Sequence, residues 1–414
     1  MSKSNFFHNN KLFDKSNIAL ICILGMFTGF LCAPALLSIS MILYGVNGLW
    51  GIHPSRWFRN TYWIAGVAWV AFYALTWFWS ADKEYWSIGL QVKLPFLILP
   101  LAFGFTPRFT TRQMQIFTVA AGLFFLAGAG YSLSFLIREP DKYLFGYRIS
   151  HLLPTPSRND HICFSLAITL YIVWCVYCWP WLQSTAVKWI TGILMTILVL
   201  FIHILAAKSG IISFYLFLAL WGFYLAFSKR KIIGLIVLVT IPLFIVFAMK
   251  YIPTFRDRAA YIYYSFVMAE AKDRTGNYGD IGRIWSQTIG WKLIKEHPFS
   301  GVGAGDMMLE MKKGYDRWHP EVVEENRLIP HNQFLIVALC SGIPAMLIFA
   351  IWAFMPLAWL RKNRESFFMF TVWLILMFYL VIDTGLEVQM GVFVFTVFIL
   401  LFKQQLPERV QNES

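Results

Sequence analysis

Runs of about 18 or more apolar residues recur from one end of this chain to the other. Each such run is long enough to cross the roughly 30 Å of hydrocarbon in a bilayer. A backbone in that medium must pair its own N–H and C=O groups, so the chain is expected to be all-α, a polytopic transmembrane helical bundle. Composition agrees. Charged residues are 14% of the chain and apolar ones 58%, whereas a soluble domain carries about 25% charged residues. A water-facing surface cannot be built from that inventory. The 39 Phe, 18 Trp and 18 Tyr suit aromatic belts at both membrane surfaces.

The net charge of +13 raises nucleic acid as a partner. It is excluded because most Lys and Arg sit in short tails and loops between apolar runs, where they orient a membrane protein. All six Cys fall inside expected spans, and the Cys175–Cys178 CxxC reads as helix packing. No cleavable signal peptide is expected, since the first apolar run lacks a small-residue cleavage site and leads directly into more membrane.

The apolar segments are 18–32, 33–47, 62–80, 88–103, 114–137, 161–180, 186–206, 210–227, 232–250, 331–360, 366–382 and 388–403. The stretch from Ile18 to Val46 reads either as one long helix or as two short ones broken near Pro34, and charge decides between them. With two spans, Lys15, Arg56 and Arg59, Arg108 and Arg112, the Lys229–Arg230–Lys231 cluster, and Arg361, Lys362 and Arg364 all fall on one face. With one span, the Lys229–Lys231 cluster crosses to the other side and the positive-inside bias collapses. About 12 spans with both termini cytoplasmic is therefore the expected topology. Residues 1–250 hold spans one to nine, 251–330 a large periplasmic loop, and 331–414 spans ten to twelve with a cytoplasmic tail.

The long loop carries basic and acidic residues in equal number, so it is not a polybasic tail. Ile281 to Glu296 has a helical pattern that stops at Pro298, before the glycine-rich Gly301–Gly305 (GVGAG). That segment lacks the Lys and Ser/Thr of a phosphate-binding P-loop and reads as a tight turn beside the membrane. A folded, charged loop on one face of a bundle suggests a working surface.

Four polar groups stand out. In PHNQFLIVALCSGIPA, Pro330 suits a first helical turn and places His331, with Asn332, at the outer end of span ten. The positive end of the helix dipole disfavours an imidazolium there, which suits His331 to take a proton. Gly342 and Pro344 are expected to kink this helix. In GRIWSQTIGW, Arg283 lies one turn before Gln287, and a guanidinium fork matches phosphate oxygens. Arg158, Asn159, Asp160 and His161 cluster before span six, and Lys208 sits at the turn between spans seven and eight. Charges beside apolar spans are costly and mark a polar cavity unless they snorkel. Finally, Asp383, Glu387 and Gln389 occupy the last outer turn, where the carboxylates read as caps or as partners of an arginine.

These segments resemble the O-antigen ligase and polymerase family. Three stretches carry the likeness: Arg283 with the following EHPFSGVGAGDM, PHNQFLIVALCSGIPA, and DTGLEVQMGVFVF. Together they span Gly282 to Phe395; the first nine spans match mainly in topology. The resemblance implies transfer of a glycan from an undecaprenyl-pyrophosphate donor to an acceptor hydroxyl, with no metal and no cofactor. On that pattern His331 activates the acceptor and Arg283 binds the pyrophosphate, aided by Lys208 and Arg158, with Asn332, Asp160, His161 and Glu387 in support. Where the family often has Ser-Arg-Gly, this chain has Lys208–Ser209–Gly210, and a lysine cannot grip two oxygens as a fork. A ligase acting on lipid A-core is preferred, because one large compact outer loop is the commoner ligase arrangement. A polymerase joining lipid-linked repeat units, and a protein O-glycosyltransferase, share the donor chemistry. A transporter or flippase is disfavoured, because the ionisable residues cluster at the outer interface and no internal repeat is evident. The expected location is the bacterial inner membrane, with the site on the periplasmic side.

Overall fold

A computed structural model describes residues 14–149, 151–270 and 279–406, and every regular element among them is helical. The two termini, expected on the cytoplasmic face, lie outside the described residues. In chain order the helices begin with α1 (Lys15–Cys32), α2 (Pro34–Leu49), α3 (Thr61–Leu75), α4 (Lys83–Lys93), α5 (Pro95–Phe105) and α6 (Thr111–Arg138). Two short helices, α7 (Pro140–Arg148) and α8 (Pro156–Asn159), lead to α9 (His161–Cys178), α10 (Thr185–Leu205), α11 (Lys208–Ala226) and α12 (Lys231–Tyr251). The loop region holds α13 (Pro253–Glu270), α14 (Gly279–Glu296) and α15 (Met307–Trp318), and the chain closes with α16 (Gln333–Phe354), α17 (Arg364–Ile382) and α18 (Gln389–Gln405). Among the described residues, ten helical segments are long and apolar enough to cross a membrane, with α4 and α5 counted as one segment; α2 and α18 are shorter apolar helices. They fall on the twelve expected segments.

Local sequence explains the breaks. Pro34 opens α2 at its first position, so the Ile18–Val46 stretch is two helices and not one. Thr110 and Gln113 form a reciprocal capping box at the start of α6. Between apolar helices in lipid the drive to associate comes from close packing and not from expelling water. A Cβ on Gly29 would lie 2.3 Å from the Leu37 backbone nitrogen, so glycine is what lets α1 and α2 cross so closely. The core lies where α1, α6, α9 and α18 meet. There the Phe27 ring meets Phe117, Phe125, Phe393 and Phe398 edge-on, with centroids 5.2 to 5.9 Å apart. Helix α9 is almost wholly buried, whereas α12 is mostly exposed at the periphery.

The glycine-rich turn is a structural insertion. Helix α16 is interrupted at Gly342, whose φ of 87° is left-handed. Backbone groups freed there are paired by the loop: Val302 N–H donates to the Leu339 carbonyl (2.8 Å), Gly303 N–H to the Cys340 carbonyl (3.2 Å), and Ile343 N–H to the Pro298 carbonyl (2.8 Å). The same loop is fastened to the α3–α4 turn, where Ala81 and Asp82 N–H groups donate to the Asp306 carboxylate and Gly305 N–H donates to Ser80 Oγ. A Cβ at position 342 would sit 2.1 Å from the Phe299 carbonyl oxygen as well as forcing a left-handed side-chain residue. Gly342→Ala is therefore expected to destabilise the fold by about 1–3 kcal/mol or more, read as a lower thermal unfolding midpoint in detergent.

Candidate functional site

The expectation that Pro330 starts span ten is corrected by the structure. Helix α16 begins at Gln333, and Asn332 is its N-cap, accepting from the Phe334 and Leu335 N–H groups. An Asn in extended conformation is the stronger cap signal. His331 therefore precedes the helix, on a segment pressed against α14, where a Cβ at Gly290 would lie 2.6 Å from the Pro330 ring. From α14, Gln287 Nε2 donates to the His331 carbonyl at 3.2 Å.

His331 Nδ1 lies 3.0 Å from Asp383 Oδ1, and the two side chains are 19% and 13% exposed. With Nδ1 donating to the carboxylate, Nε2 is the proton-accepting nitrogen of the pair. Asp383 is held in turn by the Thr384 N–H at 2.9 Å. The sequence pattern treated Asp383 and Glu387 as caps or arginine partners. Their actual partners are a histidine and a lysine, because the turn between α17 and α18 aims its two carboxylates at different neighbours.

Glu387 accepts from Lys93 Nζ (2.8 Å) through one oxygen and from Gln333 Nε2 (2.8 Å) through the other. Gln333 Oε1 accepts the Leu386 N–H at 3.0 Å. Lys93 is 1% exposed, and its ammonium also lies 4.3 Å from the Tyr73 ring centroid. The α17–α18 turn is thus clamped at both ends by the residues that lead into α16. Lys93 is the last residue of α4, about 15 Å along the helix from Lys83 at 1.5 Å per residue. Sequence reasoning missed Lys93, although a lone lysine inside an apolar run is itself a signal, given its cost in hydrocarbon.

Arg283, half-buried on α14, lies one helical turn before Gln287 and so on the same face. Arg258, Arg283 and Asp383 all act electrostatically on His161, the first residue of α9. Asp160 caps α9 by accepting the Cys163 N–H at 2.8 Å. Burial pushes its carboxyl up, and the nearby Asp383 charge pushes it further in the same direction. Asp160, His161, Arg283, His331 and Asp383 therefore converge from four elements.

Lys208 opens α11 after a left-handed Ala206 (φ 50°). It lines, with Arg258, an otherwise apolar cavity of about 360 Å³ between α11 and α13 that includes Ile211, Phe255 and Ile262. Arg258 is a second residue that sequence reasoning missed; α13 is held in place by the Arg148–Asp257 ion pair at 2.9 Å. Arg158 is exposed on α8, where it and Asn159 are left-handed (φ 57° and 64°). No contact between Arg158 and the dyad is seen among the described residues.

Residues 193–350 match the family model described as O-antigen ligase. The matched region runs from α10 to near the end of α16, and so contains Lys208, Arg258, Arg283 and His331. A comparison with curated proteins finds no match.

Proposed function

We propose that this multi-pass membrane protein, whose residues 193–350 match the O-antigen ligase family model, moves a glycan from undecaprenyl pyrophosphate to a hydroxyl of lipid A-core. The observation that carries the reading is the His331–Asp383 pair at 3.0 Å, next to α14, which carries Arg283 and bonds the His331 carbonyl through Gln287. The acceptor hydroxyl gives its proton to His331 Nε2 as its oxygen attacks the anomeric carbon. The bond from that carbon to the pyrophosphate oxygen breaks with the electron pair leaving on the phosphate. One displacement inverts the anomeric centre. Proton transfer to a placed base contributes about 10²–10⁴-fold.

Charge on the departing pyrophosphate is met by Arg283, with Arg258 and Lys208 on the donor's side. The α11–α13 cavity suits this division, being apolar along most of its length with its cations contributed by Lys208 and Arg258. The polyprenyl chain lies along the apolar part and the pyrophosphate at the charged residues. Fixed cations at a developing anion supply a large share of such catalysis. No metal is called for when arginine and lysine carry that charge, so EDTA leaves the rate unchanged. The dyad faces the periplasm, and the Lys229–Lys231 and Arg361–Arg364 clusters face the cytoplasm, as the positive-inside rule favours.

The test is glycan transfer by the purified protein in detergent, with lipid-linked glycan and lipid A-core, with and without EDTA. Arg283→Ala should lower kcat about 10²–10³-fold. Lengthening of the glycan on its own carrier would replace the ligase reading by a polymerase. Movement of substrate across sealed vesicles with no covalent product would overturn the enzymatic one.

A further inference from the structure

At the end of the bundle away from the dyad, a cavity of about 640 Å³ opens between α5, the α16–α17 connection and the last turn of α18. The 19 residues of α17 separate this level from Asp383, a distance of about 28 Å at 1.5 Å per residue. Lys403 reaches into it from α18. A lysine that merely marks orientation extends its amine to the headgroup layer. Lys403 instead places its ammonium 4.2 Å from the Trp359 ring centroid and 5.6 Å from that of Tyr62. The helix end that carries it is pinned, since Gln404 Nε2 donates to the Thr106 and Pro107 carbonyls at 3.0 and 2.9 Å. Arg108 and Arg361 line the same cavity, and Arg108 donates to the Leu406 carbonyl. No Asp or Glu is among the described residues that line it, while Phe103, Met355 and Leu400 give it an apolar side.

We propose that this cavity binds the phosphate group of an anionic glycerophospholipid drawn from the leaflet opposite the dyad. An ammonium held on an indole face inside a cavity whose described lining includes no carboxylate is a preformed site for an anion. Arginine adds the fork geometry that phosphate oxygens match. The apolar side takes the first part of an acyl chain, which a free phosphate cannot use. The inference does not depend on the proposed transfer chemistry, because the two sites lie at opposite ends of the bundle.

The experiment is native mass spectrometry of the delipidated full-length protein titrated with dioctanoyl phosphatidylglycerol, dioctanoyl phosphatidylcholine or inorganic phosphate. Wild type should retain one phosphatidylglycerol, Lys403→Met should bind it roughly tenfold or more weakly, and Lys403→Arg should keep it. Binding of phosphatidylcholine as tight as that of phosphatidylglycerol, or unchanged retention in Lys403→Met, overturns the proposal. Equal loss in Lys403→Arg and Lys403→Met would mean that packing and not charge is at work, and would also overturn it. If inorganic phosphate competes as strongly as the phospholipid, the lipid as the source of that phosphate is refuted.

Discussion

Replacing Asp383 by Asn is expected to slow glycan transfer about 10²–10⁴-fold with little change in donor affinity. The amide keeps the size of the carboxylate and can still accept from Nδ1. What it loses is the negative charge that stabilises the imidazolium formed when His331 takes the acceptor's proton, and the firm choice of tautomer that leaves Nε2 free. Because the two residues act as one unit, His331→Ala combined with Asp383→Asn should be scarcely slower than His331→Ala alone. Single-turnover rates with preloaded donor separate the chemical step from binding. A rate within a few-fold of wild type for Asp383→Asn would mean that the 3.0 Å contact only anchors the turn and that the proton leaves by another route.

The second large effect concerns stability. Lys93→Met should cost about 3–5 kcal/mol, because it strands the Glu387 carboxylate in a site built around an ammonium. Activity should fall with it, since Glu387 also fixes Gln333, two residues from His331. The double variant Lys93→Met/Glu387→Gln should recover much of the lost stability, as replacing a buried ion pair by neutral groups often does. Thermal unfolding midpoints of the single and double variants, measured in one detergent, decide the matter. A double variant no more stable than Lys93→Met would show that the pair contributes through specific contacts that neutral side chains cannot replace.

The membrane helices were legible because their signal is local. An apolar run of sufficient length identifies a span whatever its neighbours are, and Pro34 was enough to divide the first long run once charge had been weighed. The loop helix ending at Glu296 was legible for the same reason. The partnership of His331 with Asp383 was not, because it joins residues 52 apart and depends on how the α17–α18 turn meets the approach to α16. Both residues had been singled out, but a list of polar residues contains no pairing. The start of α16 was misjudged by one rule overriding another: Pro330 fits a first turn, yet Asn332 is the better cap. Lys93 was passed over because it lies within a run otherwise read only for its hydropathy. The approach of α14 to the segment before α16, which no spacing encodes, rests on Gly290 meeting Pro330 and on Gln287 bonding the His331 carbonyl.

The way the glycine-rich loop completes the interrupted α16 makes the loop region and the last spans a single heritable unit. Grafting residues 251–330 from a relative onto these spans would bring a loop whose amides do not meet the Leu339 and Cys340 carbonyls, leaving polar backbone stranded at the kink. Exchanges intended to swap acceptor preference should therefore cut before α13 and after α16, never at the loop's own boundary. During biogenesis the same dependence sets an order. The break in α16 has no partners until the glycine-rich loop has folded against it, so this helix cannot reach its final shape before that loop does.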